Sequence, residues 1–282
     1  MVLSMGADVW FTEHQTADVT LGLRVGDILW QEDTPYQHLM VADTPAYGRL
    51  LTLDGAVQTT DRDEFFYHEM IAHVPLTIHP HPRRVAVVGG GDGGVIREVL
   101  RHPEVEIAHL VEIDERVVAV ARQFFPKLSV DLDSPRAHVH LVDGIEWMRE
   151  QADQEQKLDV VIVDSTDPVG PATELFGEAF YRSVYDALAP DGILVAQTES
   201  PMLQPHLIRQ THTAMRAVFP HVHLYLAPVP TYPSGWWSFS LGSKGPRPED
   251  ARAVSLPTRY WTSAIQRAAF VLPPFVSDLL KS

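Results

Sequence analysis

The 282-residue chain has no cysteine, which excludes disulfides, thiolate nucleophiles and cysteine-ligated zinc. It has no apolar run of membrane-spanning length; stretches such as 85–88 and 160–163 are far too short for a bilayer. Basic residues are scarce, 22 against 37 acidic ones, and the formal net charge is −15. Nucleic acid and anionic membranes need a basic surface, so neither is an expected partner. A cationic ligand would be attracted, although acidic charge also serves solubility alone. No internal repeat or low-complexity stretch is present. Residues 1–10 show no basic region followed by an apolar one, so no signal peptide is expected, and a cytoplasmic setting fits.

What is present is a soluble composition, 45% apolar and 21% charged, with length enough for a large domain and a smaller one. Two rhythms divide it. Val19, Leu21, Leu23 and Val25 alternate as a half-buried strand does. Residues 49–53 and 56–59 flank Asp54-Gly55, a pair suited to a tight hairpin turn. Asp61 and Glu64 have capping-box spacing, predicting a helix over about 63–73 that stops before Pro75. An N-terminal β domain with a closing helix is therefore expected over 1–75.

From Arg84 the rhythm becomes strand, turn, helix. Strands are predicted at 85–88, 107–111, 138–142, 160–163 and 193–197. Helices are predicted at 95–101, 115–125, 145–151 and 178–188, the last closed by Pro190-Asp191-Gly192. β-Branched runs alternating with helices indicate a doubly wound α/β domain over 76–282, a parallel sheet covered on both faces. Such sheets bind ligands at the carboxyl ends of their strands.

Chemistry gathers at those ends. Gly89-Gly90-Gly91-Asp92-Gly93-Gly94 follows the first strand and opens a helix, satisfying the G-x-G-x-x-G pattern of a nucleotide-like ligand. Glu112 ends the next strand, where an acidic residue commonly grips ribose hydroxyls. Asp92 argues against a dinucleotide. A carboxylate about 4 Å from a pyrophosphate charge costs roughly 4 kcal/mol at an effective dielectric of 20. It would attract an ammonium; the alternative is that it faces solvent or binds loop amides. Asp143-Gly144, ending the third strand, can accept from an adenine amino group and leave room for its ring, or form an ordinary turn. In Asp164-Ser165-Thr166-Asp167-Pro168-Val169-Gly170-Pro171, two carboxylates three apart in a proline-stiffened loop suit a cationic amine, one of them accepting its proton. The competing reading is a proline-rich loop with helix-capping aspartates.

These segments, with Tyr36-Gln37, Leu53-Asp54-Gly55, the run 63–70 and Pro230-Thr231-Tyr232-Pro233-Ser234-Gly235, resemble the spermidine synthases, the polyamine aminopropyltransferases, over nearly the whole chain. The resemblance implies a small N-terminal β domain on a Rossmann-like, methyltransferase-type domain, usually in a homodimer, with a homotetramer as the alternative. It implies aminopropyl transfer from decarboxylated S-adenosylmethionine, a co-substrate, to putrescine, with no cofactor. Gln37, Glu112, Asp143, Gly144 and Pro171 would hold the thioadenosine part, and Asp92 the aminopropyl ammonium. Tyr67, His68, Asp164, Asp167 and Tyr232 would line the amine channel, with Asp164 the proton acceptor. Glu199 could also face the amine. Trp236-Trp237 departs from the family pattern, where a single bulky residue follows the glycine; strand packing or a reshaped amine pocket would account for it. The remaining histidines, such as His79 and His81, show no ligand spacing, and no metal is expected. Agmatine, cadaverine or spermidine as acceptor, or a related putrescine N-methyltransferase, remain open alternatives.

Overall fold

The computed structural model describes residues 8–166 and 170–281, with the side chains of 170–172 left aside. The chain divides into two compact units between Glu64 and Phe65.

The first unit is all β. Strands β1 (Val9–His14) and β2 (Thr20–Val25) form an antiparallel pair, and β3 (Asp27–Asp33), β4 (His38–Thr44), β5 (Gly48–Leu53) and β6 (Ala56–Thr60) a four-stranded meander. In β2 the alternation buries Leu23 and Val25. The β5–β6 turn needs positive φ at both central residues, 51° at Asp54 and 78° at Gly55, the arrangement that suits strand twist. Asp61, spaced as a helix cap, instead accepts from the Arg49 amide at 2.9 Å and ties that hairpin together.

The second unit opens with helix α1, Glu64–Ile78, which the sequence reading placed in the N-terminal domain and ended before Pro75. The helix runs through Pro75. Proline removes one helical hydrogen bond, at a cost of about 3 kcal/mol in an exposed helix. Here Met70, Ile71, Ala72, Val74, Leu76 and Ile78 are all buried, and tertiary packing outweighs the local preference.

The elements that follow are β7 (Arg84–Gly89), α2 (Gly94–Leu100), β8 (Ile107–Glu112), α3 (Glu115–Phe124), β9 (Ala137–Leu141), α4 (Gly144–Ala152), β10 (Leu158–Asp164), α5 (Glu178–Ala187), β11 (Leu188–Gln197), α6 (Pro205–Arg216), β12 (His221–Pro228), β13 (Trp236–Ser243), α7 (Ser263–Ala269) and α8 (Pro274–Ser277). The sheet order is β12-β13-β11-β10-β7-β8-β9. Five adjacent strands, β11 to β9, pair in parallel; β13 runs antiparallel to both neighbours, so β12 points the same way as those five. The sequence reading assigned no strand to 221–228 or 236–243 and no helix to 205–216. Strand β11 begins at Leu188, which pairs with Leu158 before Ile193 resumes the ladder opposite Val160, so 189–192 bulge out.

Alternation along β7 explains the two covered faces. Val85 and Val87 enter a core with Met70, Ile71, Val95 and Ile96, whereas Ala86 and Val88 enter another with Trp147, Phe180 and Tyr181. No helix among the described residues is long and apolar enough to cross a membrane.

Candidate active site

The strand order reverses between β7 and β10, and Gly89 at the end of β7 lies beside Asp164 at the end of β10. That reversal opens a crevice at the carboxyl edge. The glycine loop is shaped by the carboxylates that close on it. A Cβ on Gly90, where φ is 69°, would stand 2.6 Å from Asp164 Oδ2, and one on Gly91 2.8 Å from Glu112 Oε2.

Asp164 is half-buried, and the Tyr67 hydroxyl donates to its Oδ1 at 2.6 Å. Burial pushes its carboxyl up to about 6. The Asp92 charge adds to that rise, while His68 and the Tyr67 hydrogen bond oppose it. Tyr67 is itself buried, and burial together with Asp164 holds its phenol well above the usual range. Asp92 is only 9% exposed, so it does not face solvent. Its Oδ1 accepts from the Gly94 amide at 2.8 Å, and its Oδ2 lies 3.4 Å from His68 Nε2. Both α1 side chains therefore reach the strand ends: Tyr67 meets Asp164 and His68 meets Asp92. Tyr232 extends the aromatic wall, 5.5 Å from Tyr67 and 4.7 Å from Trp237 between ring centroids.

Glu112 and Asp143 are held differently. Glu112 Oε1 accepts from the Asp114 amide at 2.9 Å and Oε2 from the Gly91 amide at 3.2 Å. Burial nevertheless pushes its carboxyl up to about 7. Asp143 caps α4, accepting from the Ile145 amide at 2.7 Å. A Cβ on Gly144 would fall 2.5 Å from Val88 Cγ1, so this glycine also lets α4 approach the sheet.

Gln37 lies in the β3–β4 turn of the other unit, its carbonyl accepting from the Thr34 amide at 2.9 Å. Asp167 lies outside the described residues, and so does the Pro171 side chain, although Pro171 falls in the 3-10 turn Gly170–Phe176. The tryptophan pair splits across β13: Trp236 stacks on Phe275 at 5.9 Å, and Trp237 is buried against Tyr232.

Sequence reasoning missed Gln197. Its Nε2 donates to the Ser165 carbonyl at 3.1 Å and its Oε1 accepts from the Glu199 amide at 3.1 Å. One amide thus clamps the residue after Asp164 to the turn at Glu199, which is buried with φ at 70°. A glutamine ending a buried strand was the available signal. Phe239, 5.4 Å from the Tyr67 ring, was also missed because its strand was.

At the opposite sheet edge His79, Asp159 and Asp191 are spaced as three metal ligands could be. The His81 amide, however, donates to His79 Nδ1 at 3.1 Å, which leaves the proton on Nε2 facing Asp191 at 3.4 Å. That tautomer has no free lone pair on Nε2 for an ion.

Comparison with known proteins settles the family. A Spermine/spermidine synthase domain matches residues 64–250, and a Spermidine synthase tetramerisation domain matches 9–61. The chain belongs to the spermine/spermidine synthase family. It is 53% identical to the polyamine aminopropyltransferase of Moorella thermoacetica, over 97% of each chain. It is 48% identical to that of Bacillus subtilis strain 168, covering 98% of this chain and all of that one. Among solved structures, a spermidine synthase in complex with the transition state analogue AdoDATO superposes with a TM-score of 0.93 at 38% identity, covering 96% of this chain and 94% of that one. Spermidine synthase from Thermotoga maritima gives 0.90 at 36% identity, with the same coverage. The enzyme is thus a polyamine aminopropyltransferase, with the N-terminal β region and Rossmann-like sheet of that family.

Proposed function

We propose that the enzyme transfers the aminopropyl group of decarboxylated S-adenosylmethionine to putrescine in the cytoplasm, giving spermidine and 5'-methylthioadenosine. The observation that carries this reading is the pair of carboxylates, Asp92 in the loop after β7 and Asp164 at the end of β10, faced by His68 and Tyr67. Such a pocket favours ammonium groups over the carboxylate of ordinary S-adenosylmethionine.

The donor's thioadenosine part would rest on Glu112, Asp143, Gly144, Pro171 and Gln37, with its aminopropyl ammonium at Asp92. The acceptor would lie along Tyr67, His68, Asp164, Asp167 and Tyr232. The amine nitrogen attacks the methylene beside the sulfonium; a C–N bond forms, the C–S bond breaks, and its electron pair returns to sulfur. Holding nitrogen, carbon and sulfur in line supplies several kcal/mol toward the barrier. The proton leaving nitrogen passes to the Asp164 carboxylate. A free alkylamine titrates near 10.4 and an ordinary aspartate near 3.9, a poor match. Burial brings Asp164 to about 6 and narrows that gap. An enclosed site beside a sulfonium lowers the amine from the other direction.

Exposed Val9, Trp10 and Ile28 on the N-terminal β unit support assembly as a homodimer or homotetramer, in line with the domain that matches there. Light scattering at micromolar concentration tests this, and monomer alone would refute it.

Purified enzyme incubated with decarboxylated S-adenosylmethionine and putrescine, cadaverine, agmatine or spermidine, analysed by mass spectrometry, identifies the acceptor. Spermidine from putrescine is the expected main product. A preferred second amine would move the assignment to that acceptor, and methyl transfer from ordinary S-adenosylmethionine would replace it. Asp92→Asn should lose the preference for the decarboxylated donor.

A further inference from the structure

Three histidines lie on one face of the sheet's free edge, and the reaction described above uses none of them. His109 of β8 stands opposite His138 of β9 in register, and His140 follows two residues later on the same side. His109 Nδ1 and His140 Nε2 are 3.0 Å apart, and the His109 and His138 ring centroids 5.6 Å. Trp147 of α4 packs against both His109 and His140, each at 5.4 Å. The other His109 nitrogen, Nε2, is buried without a hydrogen-bond partner. His138 is exposed.

We propose that His109, His138 and His140 form a binding site for a borderline divalent transition ion of the zinc, nickel and copper class. Neutral imidazoles suit these ions, whereas magnesium and calcium need oxygen donors. A proton on the buried Nε2 turns the His109 Nδ1 lone pair toward His140, whose Nε2–H donates in that hydrogen bond and moves to the other tautomer, with the proton on Nδ1, as the ion takes Nε2. Two imidazoles on a tetrahedral ion, at about 2.0 to 2.1 Å each, stand roughly 3.3 Å apart, so the pair opens by a few tenths of an ångström. His138, on the exposed strand, rotates in as the third ligand. The positive Arg84 lies within electrostatic reach of His109 and limits the affinity. A bound ion would join β8 to β9 three residues before Glu112 and Asp143.

Isothermal titration of the tag-free, full-length enzyme with Ni²⁺ tests the site. One saturable Ni²⁺ per chain is expected. His140→Ala should weaken it by at least about tenfold, and so should His138→Ala, whose exposed side chain can be removed without disturbing the fold. His81→Ala should leave it unchanged. With Cu²⁺, electron paramagnetic resonance should show coordinated nitrogen that is lost in His140→Ala. Absence of saturable binding, or an affinity unchanged in either His138→Ala or His140→Ala, overturns the assignment.

Discussion

Two halves of the crevice use carboxylates in opposite ways. On the β8–β9 side, Glu112 and Asp143 are gripped by backbone amides, mostly within a few residues of themselves. On the β7–β10 side, Asp92 and Asp164 are met by side chains of α1, which for Tyr67 and Asp164 lie 97 positions apart. The first half is built locally and presents fixed oxygens, which suits holding a nucleoside. The second depends on packing between distant elements, so its protonation can respond to what binds, which suits proton transfer.

The sharpest test of this division is Asp164→Asn, which keeps size and hydrogen bonding but removes most of the basicity. Turnover should fall at least about a hundredfold, the lower bound of general-base contributions, while thioadenosine affinity changes little. Single-turnover rates and equilibrium binding measure the two separately; a parallel loss of binding would merge the halves. Glu112→Gln should do the reverse. Weakened hydrogen bonds to a charged acceptor, about 1.5–3 kcal/mol, predict donor affinity down roughly 10- to 100-fold with turnover at saturation far less affected.

Tyr67→Phe should have a smaller effect, about tenfold in turnover, since one hydrogen bond to a charged group is lost. The Tyr67 hydroxyl stabilises the Asp164 carboxylate, so its removal raises that carboxyl further above 6. The acidic limb of the rate profile should move to higher pH, a change that loss of packing alone would not produce.

The smallest effect is on stability, and it favours the variant. Asp164 has an ordinary value of 3.8 and a folded value of about 6, so folding favours its protonated form. The stability this provides is fully present below about pH 4 and lost as pH rises through 6. At pH 7 to 8 the ligand-free enzyme carries a buried charge that costs up to about 3 kcal/mol. Asp164→Asn should therefore raise the melting temperature at pH 8, with the gain shrinking toward pH 4. An equal gain at both pH values would separate it from the charge.

The same contrast runs through what could be read from the chain. Asp54-Gly55, the glycine loop, Glu112 after β8 and Asp143 before α4 are local signals, because their partners lie in adjacent turns or at neighbouring strand ends. The five parallel strands β7 to β11 were legible for a similar reason, since their apolar runs carry their own burial pattern, whereas their order in the sheet was not. Helix α1 past Pro75 was not, because only tertiary packing carries it through the proline. Nor was the β12–β13 hairpin, whose sequence mixes histidine, serine and glycine with its apolar residues.

By itself the sequence determined an acidic, cysteine-free α/β chain with carboxylates at successive strand ends, because the type and spacing of neighbouring residues dictate turns, caps and buried strands. Tertiary structure alone decided that Tyr67 donates to Asp164, that His68 faces Asp92, that Gln197 clamps Ser165 to Glu199, and that three histidines share one edge. These contacts join residues distant along the chain, and their geometry exists only once the cores on both faces of the sheet have packed and excluded water.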